Sequence, residues 1–292
     1  MPTKVLNCGS SIKNMTAFQC EARYGAVDAV YLSLEEKSDI TYANALVKAT
    51  WTTNINEADA TRLYIFPSAS DAIRNQEDPV FFEGNLSKRR KVRDGRVDFA
   101  FEYHDQRDCV WSVAKSFNGQ RMYAFFQTEN EAIIGGDDGT NLLNVPVDVY
   151  VSEPIPPENK DGFWKVILYV YLVETEGNFA KAVLPNDSTY NTGTLWKASS
   201  LNGIVDCLLT AGAASAASVV FTVTGSCDAR EVAGLVLADF TITGAASMSN
   251  VGNVYTVLPT TTFTSPLVIT AKNQPTMTTK GYEFAAALTV TF

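Results

Sequence analysis

Val97-Asp-Phe-Ala-Phe-Glu-Tyr103 and Phe163-Trp-Lys-Val-Ile-Leu-Tyr-Val-Tyr-Leu-Val173 decide how this chain is read. In the first, Val97, Phe99, Phe101 and Tyr103 alternate with Asp98, Ala100 and Glu102, the period of two of a half-buried strand. The second is apolar at almost every position, so it is expected as a central strand covered on both faces. Between them the pattern predicts a helix from Asp105, with Val110, Val113, Ala114 and Phe117 on one side and Asn118-Gly119 as its end. Strands follow at 121–127, 131–134 and 145–151. Gly135-Gly-Asp-Asp-Gly-Thr140 is expected as a glycine-rich turn; its two aspartates lack the spacing of a calcium loop.

Working outward toward the N-terminus, residues 16–24 alternate as a strand and 27–34 supply another. Ser38 or Asp39 can cap a helix carrying Ile40, Ala43, Val47 and Trp51, which Thr52-Thr53-Asn54 is expected to end. Arg62–Phe66 is a short strand stopped by Pro67. Residues 68–91 are polar and irregular apart from Val80-Phe81-Phe82, and a connection this long is usually functional. It closes on Lys88, Arg89, Arg90, Lys91, Arg93 and Arg96, six bases in nine residues. These either bind phosphate or meet an acidic surface on a neighbour.

Toward the C-terminus, the polar residues 177–200 read as a linker. Beyond it, short β-rich runs at 204–210, 218–224, 235–243, 254–258, 267–271 and 284–292 predict a β-sandwich of immunoglobulin-like type. Cys207 and Cys227 have no Trp between them, so the antibody-type disulfide is not expected. The fold expected is therefore mainly β. An α+β unit with two helices (1–176) is followed by a linker (177–200) and a sandwich (201–292).

The 292 residues carry a net charge of −9, and residues 1–175 hold 25 acids and 18 bases against 7 and 5 in the remainder. An acidic surface repels phosphate, which disfavours nucleic-acid binding as the main role. The longest apolar run is about half a membrane span, so no membrane is expected as a partner. Five cysteines without a C-x-x-C spacing read as free thiols. His104 is the lone histidine, so multi-histidine metal sites are out and any nucleophilic triad would have to use it. No G-x-S-x-G, P-loop or G-x-G-x-x-G occurs. Carboxylate pairs such as Glu35-Glu36 or Glu129 and Glu131 are more simply solvated turn residues. No catalytic residue, metal or cofactor is assigned.

The order of elements over 16–175 resembles the tail-tube (major tail) type of bacteriophage virion protein. The likeness rests on the helix before Arg62-Leu-Tyr-Ile, the basic loop into Asp94-Gly-Arg-Val-Asp-Phe-Ala-Phe101, and Ile133-Ile-Gly-Gly-Asp-Asp-Gly139. The paired strands around Pro154 complete it, and tail-tube cores with an immunoglobulin-like C-terminal domain are known among long-tailed phages. The resemblance implies a non-enzymatic subunit made in the host cytoplasm and located in the virion tail. It forms hexameric rings with copies of itself, meets other virion proteins, and lets DNA pass without specific binding. It also implies that the basic loop bridges successive rings and that the sandwich decorates the outside. The alternatives left open are another virion component (a ring, a head-tail adaptor or a capsid-decorating protein), a carbohydrate- or cell-surface-binding module, and an enzyme with an acid pair.

Overall fold

A computed structural model describes residues 26–66, 69–77, 80–83, 89–93, 97–104, 111, 114–156, 165–173, 182–184, 196–201 and 203–292. The chain is mainly β and divides into two compact units, residues 1–55 with 59–201 and residues 56–58 with 202–292. The strand expected at 16–24 lies outside the described residues.

The first unit contains β1 (Val27–Ser33), α1 (Tyr42–Ala45), α2 (Lys48–Ile55), β2 (Tyr64–Phe66), β3 (Asp71–Gln76), β4 (Val80–Glu83), β5 (Arg89–Arg93), β6 (Val97–His104), β7 (Gln120–Thr128), β8 (Ile133–Asp137), β9 (Leu142–Leu143), β10 (Val145–Val151), β11 (Lys165–Leu172) and β12 (Ala182–Leu184). Ten of these strands form one antiparallel sheet with the path β3-β6-β11-β10-β7. There β7 carries β1 on one edge and passes from β10 to β8 on the other.

The sheet curls on itself. Ala69, just before β3, donates its N–H to the Asp28 carbonyl of β1 at 3.0 Å, bringing the two ends of the path together. Inside the curl, Val30 and Leu32 share a core with Phe99, Phe101, Leu168, Val170, Val147 and Met122. Period-two alternation puts all of these on one face, and full burial of each such side chain stabilises by roughly 1.5–3 kcal/mol. Residues 111 and 114–116 are helical as expected, and Trp111, Ala114 and Phe117 enter the same core. Gly119 follows at φ +77°.

The other face of β1 and β7 carries a second core. Tyr31 and Phe125 meet Trp51, Ile55 and Leu63 there, together with Trp196, Ala198 and Leu201. The stretch read as a linker thus contributes β12 and two buried side chains, Trp196 and Ala198, to the first unit, and Leu201, the first residue assigned to the sandwich, joins them there.

Where the expected single helix would run, two short ones stand. Thr41 rather than Ser38 or Asp39 is the first cap, accepting from the Asn44 N–H. Val47 is exposed between the helices. Thr52-Thr53-Asn54 does not end α2, because each side chain donates to the carbonyl four residues back and is satisfied within the helix.

Two further expectations are corrected. Residues 71–76 are a strand in the large sheet and 80–93 hold the hairpin β4–β5, so the segment is not an irregular loop. Gly135 and Gly136 lie within β8, and only Gly139 of that segment has positive φ. A Cβ on Gly135 would stand 2.5 Å from the Leu143 carbonyl oxygen. Glycine is needed there for close backbone approach rather than for a turn.

The second unit contains β13 (Val205–Ser215), β14 (Ser218–Gly225), β15 (Phe240–Ile242), β16 (Ala245–Val251), β17 (Val254–Pro259), β18 (Leu267–Ala271), β19 (Tyr282–Phe284) and β20 (Leu288–Val290). A five-stranded sheet, β16-β17-β14-β13-β19, and a three-stranded one, β15-β18-β20, share one core. Phe221, Val223 and Tyr255 come from the first sheet, and Phe240, Ile269 and Val290 from the second. The run expected as one last strand divides: β19 lies parallel to β13, whereas β20 pairs antiparallel with β18 in the other sheet. Ala285-Ala286-Ala287 makes that crossing with minimal side chains.

Candidate functional site

Of the six basic residues singled out in the sequence, Arg89, Arg90, Lys91 and Arg93 lie on β5, while Lys88 and Arg96 fall outside the described residues. β5 pairs antiparallel with β4, matching Glu83 with Arg89, Phe82 with Arg90, Phe81 with Lys91 and Val80 with Arg93. The two strands form a sheet of their own. They connect β3 to β6, neighbours in the large sheet whose pairing reaches Gln76 opposite Val97. The run is thus part of a hairpin, and the chain concentrates its cationic charge there.

The same unit has a second sheet face, exposed at Tyr150 and Ile73 and buried at Ala100 and Ile167, that the sequence did not announce. Since Val166, Leu168, Val170 and Leu172 point into the core, Lys165, Ile167, Tyr169 and Tyr171 lie on the opposite side of β11. Register extends this side across the sheet. Arg121, Asp148, Tyr171, Asp98 and Asn75 form one cross-strand row, and Tyr150, Tyr169, Ala100 and Ile73 form the next.

Polar contacts tie these rows together. Arg121 Nε donates to Asp148 Oδ1 at 3.2 Å, Asn75 Nδ2 to Asp98 Oδ2 at 3.0 Å, and Lys165 Nζ to Glu102 Oε1 at 3.3 Å. Tyr169 and Tyr171 stack with centroids 6.2 Å apart, and Tyr150 meets Tyr171 edge-on at 5.5 Å. Tyr150 is 46% exposed and Ile73 44%. Burial, and then the nearby Asp98 carboxylate, raise the Tyr171 pKa, so this phenol stays neutral. An open depression of about 440 Å³ is bounded by Arg121, Asp148, Tyr150 and Tyr171. Aromatic faces beside carboxylates form a surface suited to a cationic partner.

The remaining candidates have local roles. His104 ends β6, half-buried, with Nε2 3.9 Å from Glu102 Oε2. Asp138 accepts from the backbone N–H groups of Thr140 and Asn141, which holds its carboxyl below the usual range. Its neighbour Asp137 accepts from the Tyr42 hydroxyl. Glu35 and Glu36 are exposed. Glu129 accepts from the Ala26 N–H, and Glu131 pairs with Lys197 at 3.5 Å. No group of three or more potential metal ligands occurs among the described residues, nor is any described helix long and apolar enough to cross a membrane.

Cys207 is buried and free, its thiol pushed up to about 11 chiefly by burial. Cys227, in contrast, is disulfide-bonded and corrects the expectation of free thiols. In the second unit, Phe221, Phe240, Tyr255, Phe263 and Phe284 are core residues rather than an exposed platform.

The chain matches no protein-family model, no curated protein and no solved structure.

Proposed function

We propose that this chain is a structural subunit of a bacteriophage virion, of the tail-tube type. It would assemble with copies of itself into stacked, hexameric rings that enclose a passage for DNA. On this reading the curled sheet of the first unit is the assembly core. The second unit is an immunoglobulin-like sandwich on the outside of the virion tail, in reach of other virion proteins. The role is non-enzymatic and needs no cofactor.

The observation that carries the proposal is the β4–β5 hairpin. It concentrates Arg89, Arg90, Lys91 and Arg93 on one strand of a chain whose net charge is −9. A charged ribbon set apart from the large sheet suits a contact between subunits, where complementary charge fixes register. Such a contact is heterologous, and repeated it stacks without closing. The acidic balance of the chain also suits a passage along which phosphates slide without adsorbing.

The test is sedimentation of the purified protein beside an Arg89→Glu, Arg90→Glu, Lys91→Glu variant. The unaltered protein is expected as large assemblies, and the variant as a folded species that no longer polymerises. Equal polymerisation of the two would remove the hairpin from the mechanism.

A second reading, binding of carbohydrate at a cell surface, is favoured by Tyr150, Tyr169 and Tyr171, whose rings stand beside Asp98 and Asp148. Glycan binding by the first unit without self-association would favour it.

A further inference from the structure

We infer that β16 pairs edge to edge with β16 of a second copy of this chain, antiparallel about Ser249. The contact lies in the second unit and is independent of the ring contact proposed for the first. In the five-stranded sheet β16 has a neighbour only on the β17 side. Along an antiparallel strand, successive residues turn their N–H and C=O groups to opposite sides. The Val223 N–H donates to the Asn253 carbonyl at 3.0 Å, so Asn253 and Tyr255 bond toward β14. Val254 and Thr256 therefore bond toward β16, where they meet Val251 and Ser249. Met248 and Asn250 are left with N–H and C=O groups turned away from β17. Such a row is a template for another β-strand.

Edges of this kind are usually blunted by shortness, charge or proline. The other three edges of the unit are: β15, β19 and β20 have three residues each, and β19 carries Glu283. By contrast β16 has seven, Ala245-Ala-Ser-Met-Ser-Asn-Val251, with neither charge nor proline. Its bulge, between Ala245 and Ser247, leaves 247–251 in regular register. Val251, in that stretch, is 85% exposed.

Charge selects a second copy as the occupant. With a net charge of −9, two copies repel over much of their surface. A two-fold contact also sets a strand against itself, so a charge near the axis meets its own image. No charged residue occurs from Phe240 to Ala271, and β16 lies within that span. With the axis at Ser249, Met248 of each copy lies opposite Asn250 of the other, and their unused backbone groups bond. Val251 falls opposite Ser247, and the two Ser249 hydroxyls meet. The Glu231 carboxylate stands by the turn at Gly252, where an added Cβ would be 3.5 Å from its Oε2. In this register the two turns are about six residues, or about 20 Å, apart. That exceeds the Debye length of roughly 8 Å at physiological salt.

The experiment uses the full chain carrying Ser249→Cys, oxidised gently and run on a non-reducing gel. Residues that face each other without sharing hydrogen bonds have Cα atoms about 4.5 Å apart, within disulfide reach. The band is expected to shift from one chain to two and to return with reductant. Ser247 is also exposed, on the same face of the same strand, but it opposes Val251 rather than itself. Ser247→Cys is therefore expected to stay at the level of the unaltered protein. Adding Asn250→Pro to Ser249→Cys removes an outward N–H and spares the bonds to β17, so the dimer should be lost while thermal melting shows the fold intact.

A Ser249→Cys protein that gives no covalent dimer, or a Ser247→Cys protein that gives as much, overturns the pairing. A dimer undiminished by Asn250→Pro in a folded protein also overturns it. Should the proline disturb the fold, the comparison of Ser249→Cys with Ser247→Cys decides alone.

Discussion

The indole of Trp51 on α2 packs against that of Trp196, with ring centroids 5.8 Å apart. Both indole N–H groups are satisfied nearby, Trp51 donating to the Ala45 carbonyl and Trp196 to that of Leu46. A residue from a polar stretch thus closes the core over α2. Trp196→Ala is expected to destabilise the first unit by about 3–5 kcal/mol, the usual cost of emptying a buried indole site. Denaturant melts of the full chain with and without the substitution check this, and the variant's midpoint should fall.

Close backbone approach at Gly135 sets a second expectation. Its added Cβ would meet the Leu143 carbonyl, and the backbone there has no soft side chain to give way. Gly135→Ala should therefore cost about 1–3 kcal/mol. Gly139→Ala meets open space and is penalised only for its φ of +95°, by about 1 kcal/mol. Thermal melting of the two variants should rank Gly135→Ala as the lower.

Asp138 gives a pH signature. Hydrogen bonds from Asn141 and Thr140 lower its pKa in the folded protein below the usual carboxylate range. A depressed carboxyl contributes stability that is fully present above its unfolded pKa and is lost as pH falls through the folded one. Asn can still accept in the turn but carries no charge. Asp138→Asn should therefore melt below the unaltered protein at pH 7, and the gap should narrow as pH falls below 4.

Much of the large sheet was legible because burial of one face imprints a period of two. Val97–Tyr103 and Val145–Val151 therefore emerged as strands from residue order alone. β3 and β5 did not. The β3 residues Asp71, Ile73 and Asn75 lie on the solvent side, so its backbone pairing leaves no apolar rhythm. β5 is nearly all cationic. β16 is exposed along most of its length and is equally silent. The β8 glycines were misread because close packing and turning both call for glycine. The second sheet face escaped notice for a different reason. Tyr169 and Tyr171 have apolar rings, so the 163–173 segment looked covered on both sides, although tyrosine readily shows a ring edge and hydroxyl to water.

Salt should separate the proposed assembly from packing driven by apolar burial. Contacts between a cationic strand and carboxylates on a neighbour are screened as the Debye length falls to about 3 Å at 1 M. Assemblies formed at low ionic strength should shorten or dissociate toward 1 M sodium chloride, followed by light scattering. Undiminished or increased assembly at high salt would point to an apolar interface instead.

The claim that this chain is a self-assembling virion subunit is tested most directly by negative-stain electron microscopy of the purified protein. Six domains of this size side by side give a ring on the order of 100 Å across. The account predicts six-fold rings of that width, single or stacked into tubes. A field of isolated monomers at every protein concentration would contradict it.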